Sequence, residues 1–237
     1  MQSFFFILAA ALATFVSANP LGVSGHRKIQ TRQDAGSTTE NEFYDDGCRD
    51  VILFFARGTD QSGNILTNAK GEMPGVDLVS QLKTALGDDV VAAQGVNYPA
   101  ALLDNLLEGG TDLTYATDLG NNITAAASDC PDAQFVVSGY SQGAAIVHGA
   151  IPDLSDAVKA QIAAAVTFGD TRKEQDGGQI PDFDTSKTLI ICNDGDLVCN
   201  GTLIITEAHT EYNATVPTAV SFIQSKVAWL KSRSMGI

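Results

Sequence analysis

Basic residues are scarce in this 237-residue chain, where 14 Lys and Arg stand against 28 Asp and Glu. Phosphate binding requires clustered Lys and Arg, so nucleic acid is not expected as a partner. The acidity predicts solubility and repulsion of anions, but it names no substrate. Cysteine is sparse, with Cys48, Cys130, Cys192 and Cys199 only. These four form no C-x-x-C pair and no Cys/His cluster, so no metal site is expected. Beyond the N-terminus no apolar run approaches the roughly 20 residues that a bilayer core demands, and stable membrane insertion is not expected. Histidine is rarer still: His26, His148 and His209 are the three imidazoles the chain has.

The apolar run is at the start. Phe4 to Val16 is almost wholly apolar, and Val16-Ser17-Ala18 has the small-x-small pattern of a signal peptidase site. Residues 1–18 are therefore expected to be a signal peptide, and the mature protein to be secreted and extracellular. Residues 19–35 carry Arg27, Lys28 and Arg32 without periodic apolar residues, as in a pro-segment or flexible arm. Residues 36–237 then form one domain with a substantial core. An even cysteine count in an exported chain points to disulfides, with three connectivities open. Asn122, Asn200 and Asn213 each begin a glycosylation sequon.

Within the domain, apolar strand patterns alternate with helical ones. From Asp50 the chain runs into Val51 to Ala56, a continuous apolar run, as in a strand buried on both faces. Val76, Val79, Leu82 and Leu86 recur at helical spacing before Gly87. A strand at 90–96, a helix at 112–128, a strand at 134–138 and a helix at 142–149 follow. Two more strands are expected at 163–168 and 188–192. The last helix has Pro217 in its first turn, with Val220, Ile223, Val227 and Leu230 on one face. This order is the signature of a parallel sheet covered by helices on both sides, a single α/β/α domain.

The chemistry is carried by Gly139-Tyr140-Ser141-Gln142-Gly143, set between the strand at Phe135 to Val137 and the helix that follows. In a G-x-S-x-G elbow the serine occupies a strained strand-to-helix turn, and the helix N-terminus favours negative charge beside it. A serine hydroxyl needs a base to take its proton. His26 lies in the expected pro-segment. His148 is seven residues along the same helix, about 10 Å away along the axis, and reads as a helix-face residue. His209 remains. An acid should orient it, and Asp194 and Asp196 both lie just beyond the last strand; position alone does not choose between them. One oxyanion donor is expected from the N–H of Gln142 and a second from the loop Arg57-Gly58-Thr59.

These residues resemble the cutinase family of small fungal serine esterases. The resemblance rests on Ala56-Arg57-Gly58-Thr59, Gln94-Gly95-Val96, the Ser141 motif, Cys192-Asn193-Asp194-Gly195-Asp196-Leu197-Val198-Cys199 and Ala208-His209, in matching order through residues 48–230. It implies Ser141, Asp196 and His209 as the catalytic set, Thr59 and Gln142 as the oxyanion hole, and Asn105 as support for its loop. It implies disulfides Cys48–Cys130 and Cys192–Cys199. It implies a three-layer α/β/α sandwich with a mainly parallel five-stranded sheet and no lid. Two apolar loops should flank the site as a substrate rim, Leu102, Leu103, Leu106 and Leu107 on one side and Leu203, Ile204 and Ile205 on the other.

The expected activity is hydrolysis of cutin-like polyesters and short-chain esters through an acyl-enzyme, by a monomer without metal or organic cofactor. Asn97-Tyr98-Pro99-Ala100 resembles the related acetylxylan esterases, so a carbohydrate esterase is the nearest rival. The aliphatic segments favour a lipophilic acyl chain over acetyl. From another class, a catalytically silent secreted protein that adheres to surfaces or is perceived by a host is the alternative.

Overall fold

Six consecutive residues that exclude water on both faces form the strand β1, Val51–Ala56. Its side chains alternate between two separate apolar clusters. Ile52 and Phe54 enter one, and Val51, Leu53 and Phe55 enter the other. That division is why the run is unbroken in the sequence: each face of the strand meets a layer of helices. The computed structural model describes residues 39–65 and 74–227. The expected signal peptide, the pro-segment with His26, and Leu230 lie outside the described residues. All described residues fall within one compact unit, Ala35–Ile237.

The remaining strands are β2 (Val91–Gly95), β3 (Gln134–Tyr140), β4 (Ile162–Phe168) and β5 (Thr188–Ile191). They form a five-stranded sheet of order β2-β1-β3-β4-β5, and every pairing is parallel. The expectation of a mainly parallel sheet is thus met in full. β2 and β5 are the two edge strands; the four residues of β5 are half-buried, whereas β1, β2 and β4 are buried throughout.

In chain order the helices are α1 (Glu42–Asp46), α2 (Pro74–Leu86), α3 (Leu113–Asp129), α4 (Gln142–Ala150), α5 (Asp156–Gln161), α6 (Glu207–Thr210) and α7 (Val216–Lys226). Leu119, Ile123 and Ala126 of α3 pack with Ile146, Val147 and Ala150 of α4 in one cluster. Leu78 and Leu82 of α2 pack with Ala219, Val220 and Ile223 of α7 in the other. The three layers are therefore α3 and α4, the sheet, and α2 with α7. Cys48–Cys130 joins the segments that lead into β1 and β3, and Cys192–Cys199 closes the loop after β5.

The chain leaves β1 toward β2 on one side and returns to β3 on the other. In open parallel sheets such a reversal opens a crevice beyond the carboxyl ends of the strands, where ligands bind. The loops after β1, β3, β4 and β5 all emerge there. Among the described residues no helix is long and apolar enough to cross a membrane.

Candidate active site

Ser141 sits where β3 turns directly into α4, with φ 54° and ψ −119°, a conformation that costs a non-glycine residue on the order of 1–3 kcal/mol. The two flanking glycines make the turn possible. A Cβ on Gly139 would stand 2.3 Å from the Gly143 carbonyl oxygen, and one on Gly143 would stand 2.0 Å from that of Ala56. Backbone meets backbone at this joint. The Ser141 N–H donates to the Phe168 carbonyl at 3.0 Å, which ties the turn to the end of β4.

His209 lies on α6, a single turn of helix, and only 2% of it is exposed. Its Nε2 is 3.0 Å from Ser141 Oγ, and its Nδ1 is 2.9 Å from Asp196 Oδ2. An ionised carboxylate only accepts, so Nδ1 carries the proton and Nε2 is free to receive one from the serine. Gly169, at φ 53°, keeps the space beside the ring open: a Cβ there would come within 2.9 Å of His209 Cε1.

Asp196 is the buried aspartate of the disulfide loop, whereas Asp194 is exposed. Its Oδ2 also accepts from the Tyr212 hydroxyl at 2.5 Å, and its Oδ1 accepts from the Val198 N–H at 2.9 Å. Burial pushes this carboxyl up. The hydrogen bonds from His209, Tyr212 and Val198 and the imidazole's charge outweigh that and hold it below the usual carboxylate range.

Two tyrosines that sequence reasoning did not single out complete the arrangement. Tyr140, the variable residue of the serine motif, stacks on His209 with centroids 5.3 Å apart and donates its hydroxyl to the His209 carbonyl at 2.7 Å. Tyr212 is fully buried and also accepts the Asn193 N–H at 3.1 Å. A tyrosine three residues after the expected base was the available signal for the second.

The oxyanion-side loop follows β1. Arg57 is buried, with Nε donating to the Gln61 carbonyl at 2.6 Å and Nη2 to the Tyr98 carbonyl at 2.5 Å. Thr59 Oγ1 accepts from Asn105 Nδ2 at 2.9 Å, and the same nitrogen donates to the Leu102 carbonyl at 2.9 Å. Gln142 opens α4, so its N–H has no acceptor within the helix and is available to an anion; its side chain donates to the Ala101 carbonyl at 2.9 Å.

A cavity of about 460 Å³ opens over Ser141 and His209, walled by Thr59, Leu102, Leu103, Leu106, Leu203 and Ile205 among others. The three-residue-per-turn helix Leu102–Leu106 buries none of its residues. Leu103 is 72% and Ile205 60% exposed. Leu107 and Ile204 are exposed as well, but neither lines this cavity.

His148 takes a place that helix periodicity did not reveal. It is buried on α4, with Nε2 2.9 Å from Asp170 Oδ2 and Nδ1 2.7 Å from Asp176 Oδ2. Burial pushes the imidazole down, but the two carboxylates outweigh it and hold it above its ordinary value. The ring is bonded to the loop after β4 rather than to the serine.

A cutinase family model matches residues 47–227. The chain belongs to the cutinase family. Cutinases are carboxylic ester hydrolases, and so is this chain. It is 52% identical over 227 residues to a cutinase of Pyricularia oryzae, covering 96% of this chain and 100% of that one. It is 39% identical over 223 residues to a probable cutinase of Aspergillus niger, covering 93% and 83%. Among solved structures, a Trichoderma reesei cutinase in complex with a phosphonate inhibitor matches with TM-score 0.70 at 37% identity, over 81% of this chain and 80% of that one. An acetyl xylan esterase at 19% identity shares the fold, with TM-score 0.58 over 76% and 99% of the two chains.

Proposed function

We propose that this cutinase-family protein hydrolyses the ester bonds of cutin-like polyesters and of short-chain esters through an acyl-enzyme formed on Ser141. The observation that carries this reading is the unbroken chain of contacts from Ser141 Oγ through His209 to Asp196 Oδ2, at 3.0 and 2.9 Å. Ser141 Oγ attacks the ester carbonyl as His209 Nε2 takes its proton, and Asp196 stabilises the imidazolium. The N–H groups of Gln142 and Thr59 receive the oxyanion. Collapse of the tetrahedral intermediate expels the alcohol, which takes the proton from His209. Water then attacks the acyl-enzyme by the same route and releases the acid.

The exposed leucines and isoleucines around the cavity favour a lipophilic substrate over acetylated carbohydrate. The N-terminal apolar run favours export, with residues 1–18 removed and 19–35 as a pro-segment. The protein acts as a monomer on insoluble polyester and small esters, without nucleic acid, membrane insertion, metal or organic cofactor. The test is labelling with an alkyl phosphonate. A single adduct on Ser141, abolished in Ser141→Ala and by removal of His209, is expected. Folded protein that takes no label would return the silent, non-enzymatic reading.

A further inference from the structure

A second cavity, of about 300 Å³, lies beside the one over the serine. Asn105, Leu106, Thr171 and Leu203 line both, so the two are neighbours across these side chains. The second is different in character. Besides Leu106, Leu107 and Leu203 it presents Arg172, Gln175 and Thr202.

Most polar groups there are already committed. Thr171 Oγ1 donates to the Ser141 carbonyl at 3.3 Å, and Thr202 Oγ1 to the Leu197 carbonyl at 2.9 Å. Arg172 grips Asp176 through Nε at 3.3 Å and Nη2 at 2.9 Å. That fork leaves Nη1 without a protein acceptor among the described residues. The Gln175 side chain likewise has no hydrogen-bond partner among them. Arg172 and Gln175 therefore line a cavity next to the one over the serine with polar groups that are not spent on the fold.

A hydrogen-bonded network holds Arg172 in place. The Arg172 N–H donates to Asp170 Oδ1 at 2.8 Å. Asp170 Oδ2 is held by Thr167 Oγ1 at 2.6 Å and by His148, and His148 bridges to Asp176. Arg172 is thus fixed at both its backbone and its side chain, which lowers the ordering cost of a ligand bond. Its positive charge is matched by Asp176, so the cavity sees N–H donors rather than net charge. That chemistry suits a neutral oxygen on an otherwise apolar chain.

We propose that this cavity is a subsite for the continuing chain of an oligomeric ester, in which Arg172 Nη1 and the Gln175 amide hydrogen-bond a hydroxyl or ester oxygen beyond the bond being cleaved. The inference rests on the esterase reading above and specifies the substrate: an aliphatic chain that carries a second, uncharged oxygen function.

The test compares kcat/KM on three probes. These are a two-unit oligoester of an ω-hydroxy fatty acid, a chain of equal length with a methylene in place of the distal oxygen, and the simple ester of the unsubstituted acid. Gln175 is exposed, so Gln175→Ala and Gln175→Trp are both expected to fold. In Gln175→Ala the ratio of oligoester to simple ester should fall roughly threefold to tenfold through KM, the range of one lost hydrogen bond. The methylene probe should not respond to that variant. In Gln175→Trp, which fills the cavity, both long probes should lose ground to the simple ester. Ratios that stay at the wild-type value in both variants would overturn the subsite. Wild-type protein that cleaves none of the three probes would instead overturn the esterase reading, and the subsite with it.

Discussion

Replacing Tyr212 by phenylalanine isolates one hydroxyl at the back of the site. The ring is fully buried and packs edge-on against Phe168, centroids 6.1 Å apart, so the substitution keeps the volume. What is lost is a 2.5 Å donor to the buried Asp196 carboxylate and the acceptor for the Asn193 N–H. A hydrogen bond to a charged group is worth about 1.5–3 kcal/mol, and an orphaned N–H adds to the loss. Stability should therefore drop by about 2–3 kcal/mol at neutral pH, or roughly 5–10 °C in melting temperature for a domain of this size. Asp196 retains His209 Nδ1 and the Val198 N–H, so kcat should fall by about tenfold at most. The penalty depends on the charge. Asp196 is held below its ordinary pKa in the folded state, and a depressed carboxylate contributes stability above its unfolded pKa that is lost as pH falls through the folded one. The difference between wild type and Tyr212→Phe should be constant near neutrality and shrink below about pH 4. Urea denaturation at a series of pH values measures it. Equal stability of the two proteins at pH 7, or a penalty that does not diminish in acid, would refute the role assigned to this hydroxyl.

Other outcomes follow from the same contacts. Asp196→Asn should lower kcat by about three to four orders of magnitude, because the amide favours the wrong imidazole tautomer. Asp194→Asn should change it less than about twofold, the range of an unremarkable surface substitution. His148→Gln removes a buried bridge between two carboxylates and should cost about 3 kcal/mol in mild acid. Since His148 is held above its ordinary value, its contribution is present below about pH 6.5 and is lost as pH rises through the folded pKa; melting curves across that range should converge on those of the variant. Removing Cys48–Cys130, separated by 82 positions, should cost about 4–5 kcal/mol by loop entropy, with kcat retained in what still folds. Removing Cys192–Cys199, separated by 7, should cost only about 2.5 kcal/mol yet lower kcat more, because Asp196 stands inside that loop. Calorimetry and turnover on a soluble ester check the pair.

The sheet was legible because its strands are covered on both faces. Val51–Ala56 appears in the sequence as an unbroken apolar run for that reason, and Ile162–Phe168 as one interrupted by Thr167 alone. α1, α5 and α6 are too short for a helical period to show, although Ser155 before Asp156 was a readable cap for α5: it accepts the Val158 N–H. The elbow could be read from local spacing, since both glycines are demanded by contacts within the turn and with the adjoining end of β1. Tyr140 and Tyr212 could not. Their hydroxyls meet groups 69 and 16 positions away, and nothing in a linear pattern reports such pairs. His148 was assigned to a helix face, but all residues of α4 except Gly149 are buried, so that helix has no wide wet side. A histidine on a helix of mostly apolar residues was a sign that carboxylates must come to it from elsewhere in the chain.

At the strand-to-helix joint, the hydrogen-sized gaps at Gly139 and Gly143 are filled by peptide groups rather than by side chains. The location of the Ser141 hydroxyl is thereby referenced to the main chain of β1 and α4. A single methyl added at either glycine must push two pieces of backbone apart.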